Sequence, residues 1–370
     1  VEPGPLTHFD LAELLDEEVS AQPDPSSGAG WRLTAVTDSE GGTTVLTWLH
    51  HAYGDGRAIL ETAFAPLPAD AESAPPVPVG RRQELGDVVG RVRRGVIGGA
   101  RLGREAATVG WREPRSDLAR LGPAFTALRT RDRSVGARSQ RRVVALARVD
   151  AELWDGVAAA RGGSGNALLL AVLANLLRMA RLSRGEARER PLRLLLPFDT
   201  RAADRGRGGA PADSSANAAG AAIVVVPGGL PEHRRLEDVR TATRDALRRA
   251  TAAMAPNASA HPPGVVDAMQ LLPNGITHRL ASRVQAYADG VASNVGPIPG
   301  HVAGLGPHTA SEVFLVAGPM LTDLTVCLGR QDGHIALGVV ADPARLGPAG
   351  GLREQLADEL AAWGLEPHLR

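Results

Sequence analysis

A short apolar strand that runs into two histidines and a Gly-Asp-Gly turn constrains this chain more than any other feature. Val45-Leu46-Thr47-Trp48-Leu49 reads as the strand, and His50-His51-Ala52-Tyr53-Gly54-Asp55-Gly56 follows directly. Successive side chains on a strand point to opposite faces, so His50 and His51 face different ways. Glycine reaches backbone conformations that strain other residues, so Gly54 and Gly56 permit a sharp turn. Such a turn throws a histidine out past the sheet end while Asp55 folds back beneath it. Histidine titrates near neutral pH, so it suits general-base work on a hydroxyl or an amine. The other readings of these residues are a plain polar strand end and a zinc or iron site. Histidines on opposite faces rarely share one ion, so no metal is expected.

The rest of the chain mixes strands and helices without strict alternation. A helix is expected over residues 8–20, strands over Trp31–Val36 and Thr43–His50, and a helix over Arg57–Ala65. Residues 66–82 are rich in proline and read as a linker. Residues 83–135 are rich in arginine and weakly periodic. They read as a solvated crossover or, more sharply, as a phosphate-binding face for a pantetheine carrier. A second patterned block begins near 140, with a strand over Arg142–Val149 and a helix from an Asp150 cap to Arg161. A buried helix over Asn166–Arg181, strands over Leu192–Pro197 and Ala221–Pro227, and a helix over Leu236–Met254 follow. Strands are expected over Glu312–Ala317, Leu324–Leu328 and His334–Val340, with a closing helix over Leu352–Trp363. The Gly- and Pro-rich stretch Gly290–Gly300 reads as a crossover loop. A chain of 370 residues exceeds one ordinary core, so two domains are expected, 1–135 and 136–370.

Composition removes several classes of function. The formal net charge is zero, which favours neither nucleic acid nor an anionic membrane as partner. The longest apolar run, Ala167–Ala174, is far short of the roughly 20 residues of a membrane span, so no transmembrane segment is expected. Cys327 is the only cysteine. It allows no intrachain disulfide and no cysteine-based metal site, and it points to a reducing, cytoplasmic setting.

The His-His-x-x-x-Asp-Gly pattern of residues 50–56 resembles the signature of the chloramphenicol acetyltransferase-like superfamily. That group holds nonribosomal peptide condensation domains, plant alcohol acyltransferases and the wax ester synthase/diacylglycerol acyltransferase family. The last is the nearest likeness. Trp31 resembles the tryptophan of its Pro-Leu-Trp, and Gly162-Gly163-Ser164-Gly165-Asn166-Ala167 partly matches its Gly-x-Thr-x-Asn-Asp. Leu196-Pro197-Phe198-Asp199-Thr200-Arg201 echoes its Pro-Val-Ser-x-Arg, and Ser293-Asn294-Val295-Gly296-Pro297 its Asn-Val-Pro-Gly-Pro.

The resemblance implies an α/β fold of two lobes, each with a mixed sheet, and a tunnel between them. The N-terminal lobe would be shortened, because the family carries a block ahead of the Trp31-like position. An acyl group would pass from a thioester, on coenzyme A or an acyl carrier protein, directly to a small-molecule alcohol or amine. No cofactor would be needed. His51 would be the base. Gly56 would offer a backbone N–H to the oxyanion. Asp55 would be a structural acid paired with Arg201. His50, Ser293 and Asn294 would bind substrate, with Asn294 within reach of His51, and Trp31 would support the fold. The alternatives are a free-standing condensation enzyme of natural-product assembly and a non-catalytic relative that binds an acyl carrier.

Overall fold

The computed structural model describes residues 8–21, 30–37, 41–51, 54–62, 64, 89, 141–199, 219–253, 288–305, 307–317, 322–346 and 351–370. The linker over 66–82, the crossover over 83–135 except Val89, and Arg201 lie outside them. The chain divides into two compact units. One comprises Val1–Pro66, Ala137–Arg244 and Ala288–Arg370; the other comprises Leu67–Gly136 and Asp245–Tyr287. The first unit carries the elements that follow, except residues 245–253, which belong to the second.

A seven-stranded mixed sheet forms its centre. In chain order the strands are β3 (Val143–Asp150), β4 (Leu192–Asp199), β5 (Ala219–Val226), β6 (Gly290–Pro297), β9 (Leu324–Gln331), β10 (His334–Ala341) and β11 (His368–Leu369). Their order across the sheet is β11-β3-β10-β9-β6-β4-β5. β6 runs parallel to both β4 and β9, and every other pairing is antiparallel. Two short strands, β7 (Gly304–Leu305) and β8 (His308–Thr309), pair separately. A tight turn joins β9 to β10, with Asp332 at φ 46° and Gly333 at φ 75°. Asp–Gly is the pair that tolerates positive φ at two successive positions.

Helices cover both faces. α3 (Ala151–Ala160) is capped by Asp150, whose carboxylate accepts from the Leu153 N–H at 2.7 Å. α4 (Gly165–Ser183) is buried along nearly its whole length. α5 (Glu237–Ala253) and α6 (Pro343–Leu346) precede α7 (Leu352–Ala362), which packs on α4 and β3. α4 lies against Gly290, where a Cβ would come within 3.0 Å of Leu173 and Leu177. By length and composition α4 is apolar enough to cross a membrane. Here it is the core helix of the unit.

On the opposite face sits α1 (His8–Ser20), whose Leu15 and Val19 pack on Val144, Leu146 and Val340. Asp16 and Ser20 of α1 accept from the N–H groups of Val144 (2.7 Å) and Arg142 (2.8 Å), where β3 extends beyond its short partner β11. Burial raises the Asp16 carboxyl above its usual range, against the lowering effect of the Val144 bond. The hairpin of β1 (Trp31–Thr37) and β2 (Thr43–Leu49) adds to this side. Arg32 pairs with Glu18, and the Trp48 indole donates to the Glu18 carbonyl at 3.0 Å.

Two expectations are corrected. Gly290–Pro297 is not a loop but β6, inside the sheet between β4 and β9. Its small residues are an adaptation to close packing, with Ala292 fully buried. Glu312–Ala317 is not a ladder strand. It crosses the sheet face as an extended segment with alternating sides: Phe314 and Val316 join the α1 cluster, while Val313 and Leu315 join a second cluster around Leu60. The glycine lane beneath it is required, since a Cβ at Gly338 would overlap the Leu315 carbonyl oxygen.

Candidate active site

β2 delivers His50 and His51 to the end of the hairpin. The His50 N–H donates to the Gly30 carbonyl at 2.8 Å, which holds the strand end. His51 is exposed, and its Nδ1 lies 3.0 Å from the Gly54 carbonyl oxygen. A carbonyl can only accept. Nδ1 therefore carries a proton, and in the neutral ring the lone pair is on Nε2.

The turn is fixed from below by α2 (Gly56–Thr62). Asp55 is 7% exposed and acts as its N-cap: its Oδ1 accepts from the Ala58 N–H at 3.0 Å, and its carbonyl accepts from Ile59 at 2.9 Å. Gly56 is the first residue of the helix. The arginine expected to pair with Asp55, Arg201, lies outside the described residues. Trp31 pairs in register with Leu49 and is 56% exposed.

Ser293 and Asn294 are adjacent on β6 and point to opposite faces of the sheet. Ser293 pairs with Cys327, and its hydroxyl faces the thiol, as does the Ala317 backbone. Burial pushes the Cys327 thiol up to about 11, which leaves it protonated and unreactive. Asn294 lies on the α4 side. Its Nδ2 donates to Asn166 Oδ1 at 2.6 Å, and its Oδ1 accepts from the Gly296 N–H at 2.9 Å. That second bond spans a bulge in the β6–β9 pairing, where Gly296 takes φ 77°.

The first and last of the sequence motifs meet through α2. Arg57 Nη1 donates to the Val295 carbonyl at 3.4 Å, and Leu60 packs against Ile298 and Val302. The helix directly after the histidine motif thus rests on the residues directly after Asn294. Neither Arg57 nor His301, which bonds the far end of α2, stood out in the sequence. They partner residues some 240 positions away, and no local spacing signals such a pair. Two cavities lie near the β9–β10 turn. The larger, about 490 Å³, is lined by Pro297, Pro299, Thr309, Arg330 and His334 among others. No group of three or more His, Cys, Asp or Glu side chains among the described residues could hold a metal ion.

Among solved structures, the chain is similar to the wax ester synthase/diacylglycerol acyltransferase from Marinobacter aquaeolei VT8. The match has a TM-score of 0.54 at 14% identity and covers 98% of this chain and 77% of that one. This chain has that enzyme's fold. It is also similar to the first condensation domain of the CDA synthetase (TM-score 0.48, 15% identity, 96% and 70% covered). A third likeness is the X-domain from teicoplanin biosynthesis (TM-score 0.47, 15% identity, 98% and 77% covered). The fold assignment rests on the first of the three. No protein-family model matches the sequence, and no curated protein matches it.

Proposed function

We propose that the chain is an acyltransferase in which His51 is the general base. The observation that carries this reading is the 3.0 Å approach of His51 Nδ1 to the Gly54 carbonyl. It fixes the tautomer that general-base catalysis at Nε2 requires. Nε2 takes the proton of an acceptor hydroxyl or amine as that group attacks a thioester carbonyl. The carbonyl oxygen becomes an oxyanion, for which the Gly56 N–H at the turn is the assigned donor. Collapse re-forms the carbonyl and breaks the carbon–sulfur bond. The imidazolium returns its proton to the departing thiolate, so atoms and charge balance. Transfer is direct, since the buried and protonated Cys327 offers no nucleophile for a covalent intermediate. The donor is an acyl group on coenzyme A or a carrier protein.

The test is thiol release from palmitoyl-CoA in the presence of hexadecanol or hexadecylamine. His51→Ala is expected to lower turnover by about 10²–10⁴-fold, the usual contribution of a general base. A well-folded His51→Ala protein that turns over like wild type would overturn the assignment.

A further inference from the structure

α2 has seven residues. Helices under about 12 residues are marginal in water by themselves, so the order of α2 comes from what it rests on. Leu60 is 4% exposed and sits among Ile298, Val302 and their neighbours. His301 Nε2 lies 2.9 Å from the Leu60 carbonyl oxygen. The oxygen can only accept, so Nε2 carries a proton and donates it. Leu60 belongs to the last turn of α2, where carbonyls have no partner inside the helix. A histidine is well placed there, at the negative end of the helix. Arg57 holds the first turn of the same helix through the Val295 carbonyl at 3.4 Å. The segment after Asn294 therefore grips α2 at both ends. Directly ahead of α2 stands the turn whose Gly54 carbonyl sets the His51 ring.

We propose that His301 is a positioning residue for acyl transfer: its bond to Leu60 latches α2, and through α2 it fixes the Gly54 carbonyl that orients His51. The inference rests on the reading of His51 as the base. His301 acts through Leu60 and the turn, not on the substrate. Its contribution should therefore appear in turnover and not in thioester affinity.

Full-length wild type, His301→Ala, His301→Gln and His51→Ala decide the matter. The glutamine amide can donate to the same carbonyl, so it should rescue what alanine loses. Amide hydrogen exchange over residues 54–62 reads the latch without any substrate. Release of coenzyme A from palmitoyl-CoA with hexadecanol or hexadecylamine reads its effect on chemistry. In His301→Ala, exchange over 54–62 should quicken about five- to tenfold, as for the loss of one hydrogen bond. Exchange over α4 should stay as in wild type. The kcat should fall by a comparable factor with KM for palmitoyl-CoA unchanged, and His301→Gln should restore both readouts. Unchanged exchange over 54–62, faster exchange with an unaltered kcat, or a glutamine variant no better than alanine would each overturn the proposal. A wild type no more active than His51→Ala would instead sink the acyl-transfer reading, and the positioning role with it. The exchange data distinguish that case from a latch that does not exist.

Discussion

Glu359 of α7 is 2% exposed and holds three donors at once. Its Oε1 accepts from the Trp363 indole at 2.7 Å and the Asn175 amide at 2.9 Å, and its Oε2 accepts from His233 Nε2 at 2.9 Å. Trp363 and Asn175 are themselves fully buried. Arg178 donates to Asn175 Oδ1 at 2.8 Å. Burial pulls the Arg178 guanidinium below its usual value, and Glu359 and Glu232 oppose that pull. Replacing Glu359 by Leu strands two buried N–H groups at about 1–3 kcal/mol each and removes a counter-charge from Arg178. Breaking one side of a buried charged network costs about 3–5 kcal/mol. The expected loss is thus about 3–6 kcal/mol, a large share of the 5–15 kcal/mol of an ordinary domain. Glu359→Gln should be milder, at about 1–2 kcal/mol. It keeps one acceptor, and His233 can meet the new amide by moving its proton to Nδ1. Guanidinium denaturation with linear extrapolation measures both. Turnover per folded molecule should hold, because the network ties α4 to α7 and touches neither α2 nor the His51 turn. A Leu variant within about 0.5 kcal/mol of wild type, the range of an ordinary surface change, would refute the reasoning.

Gly338→Ala drives a Cβ into the Leu315 backbone and should cost about 1–3 kcal/mol by denaturation; equal stability would mean the 312–317 segment is not seated there. Asp55→Ala removes the cap of α2 and should cost about 0.5–2 kcal/mol, with faster exchange confined to residues 54–62. Two carboxyls should give opposite pH dependence. The Arg370 guanidinium, with Arg148 beside it, holds Glu312 below its usual 4.5. Its stabilisation is therefore complete above pH 4.5 and is lost as pH falls through the folded value, and Glu312→Gln should flatten that acid limb in thermal melts. Asp16 is raised above its usual 3.8, so its cost is absent below that pH and grows as pH rises through the folded value. Asp16→Asn keeps an acceptor for the Val144 N–H and should be more stable than wild type at neutral pH but not in acid.

The elements that the sequence reveals are those whose surroundings repeat along the chain. Asn166–Arg181 alternates with the helical period because one helix meets the sheet along its length, and α4 follows it within two residues at each end. The cap at Asp150 and the turn at Asp332–Gly333 are equally local, since each is built from side chains and φ angles within four residues. The histidine turn is legible for the same reason: Gly54, Asp55 and His51 bond one another or the first turn of α2.

What the sequence hides is set by partners far away. β6 looks like a loop because Gly290, Ala292 and Gly296 are small, yet each is small in answer to something else: Leu173 and Leu177 at Gly290, close sheet packing at Ala292, a bulge at Gly296. Glu312–Ala317 looks like a strand because its apolar residues alternate, and they do alternate in space. The two sides are two helix-bound clusters instead of core and solvent, and the Val313 N–H is taken by the Gln331 side chain. Alternation reports that two sides differ; it does not report a ladder. The same logic separates Ser293 from Asn294. Adjacent residues on a strand cannot serve one pocket unless the backbone bends between them. The bend here comes one residue later, after Asn294 has turned to Asn166 and Ser293 to Cys327. Of the two, Ser293 shares the sheet face on which α2 and the Leu60 cluster lie, while Asn294 shapes the backbone that Arg57 reads.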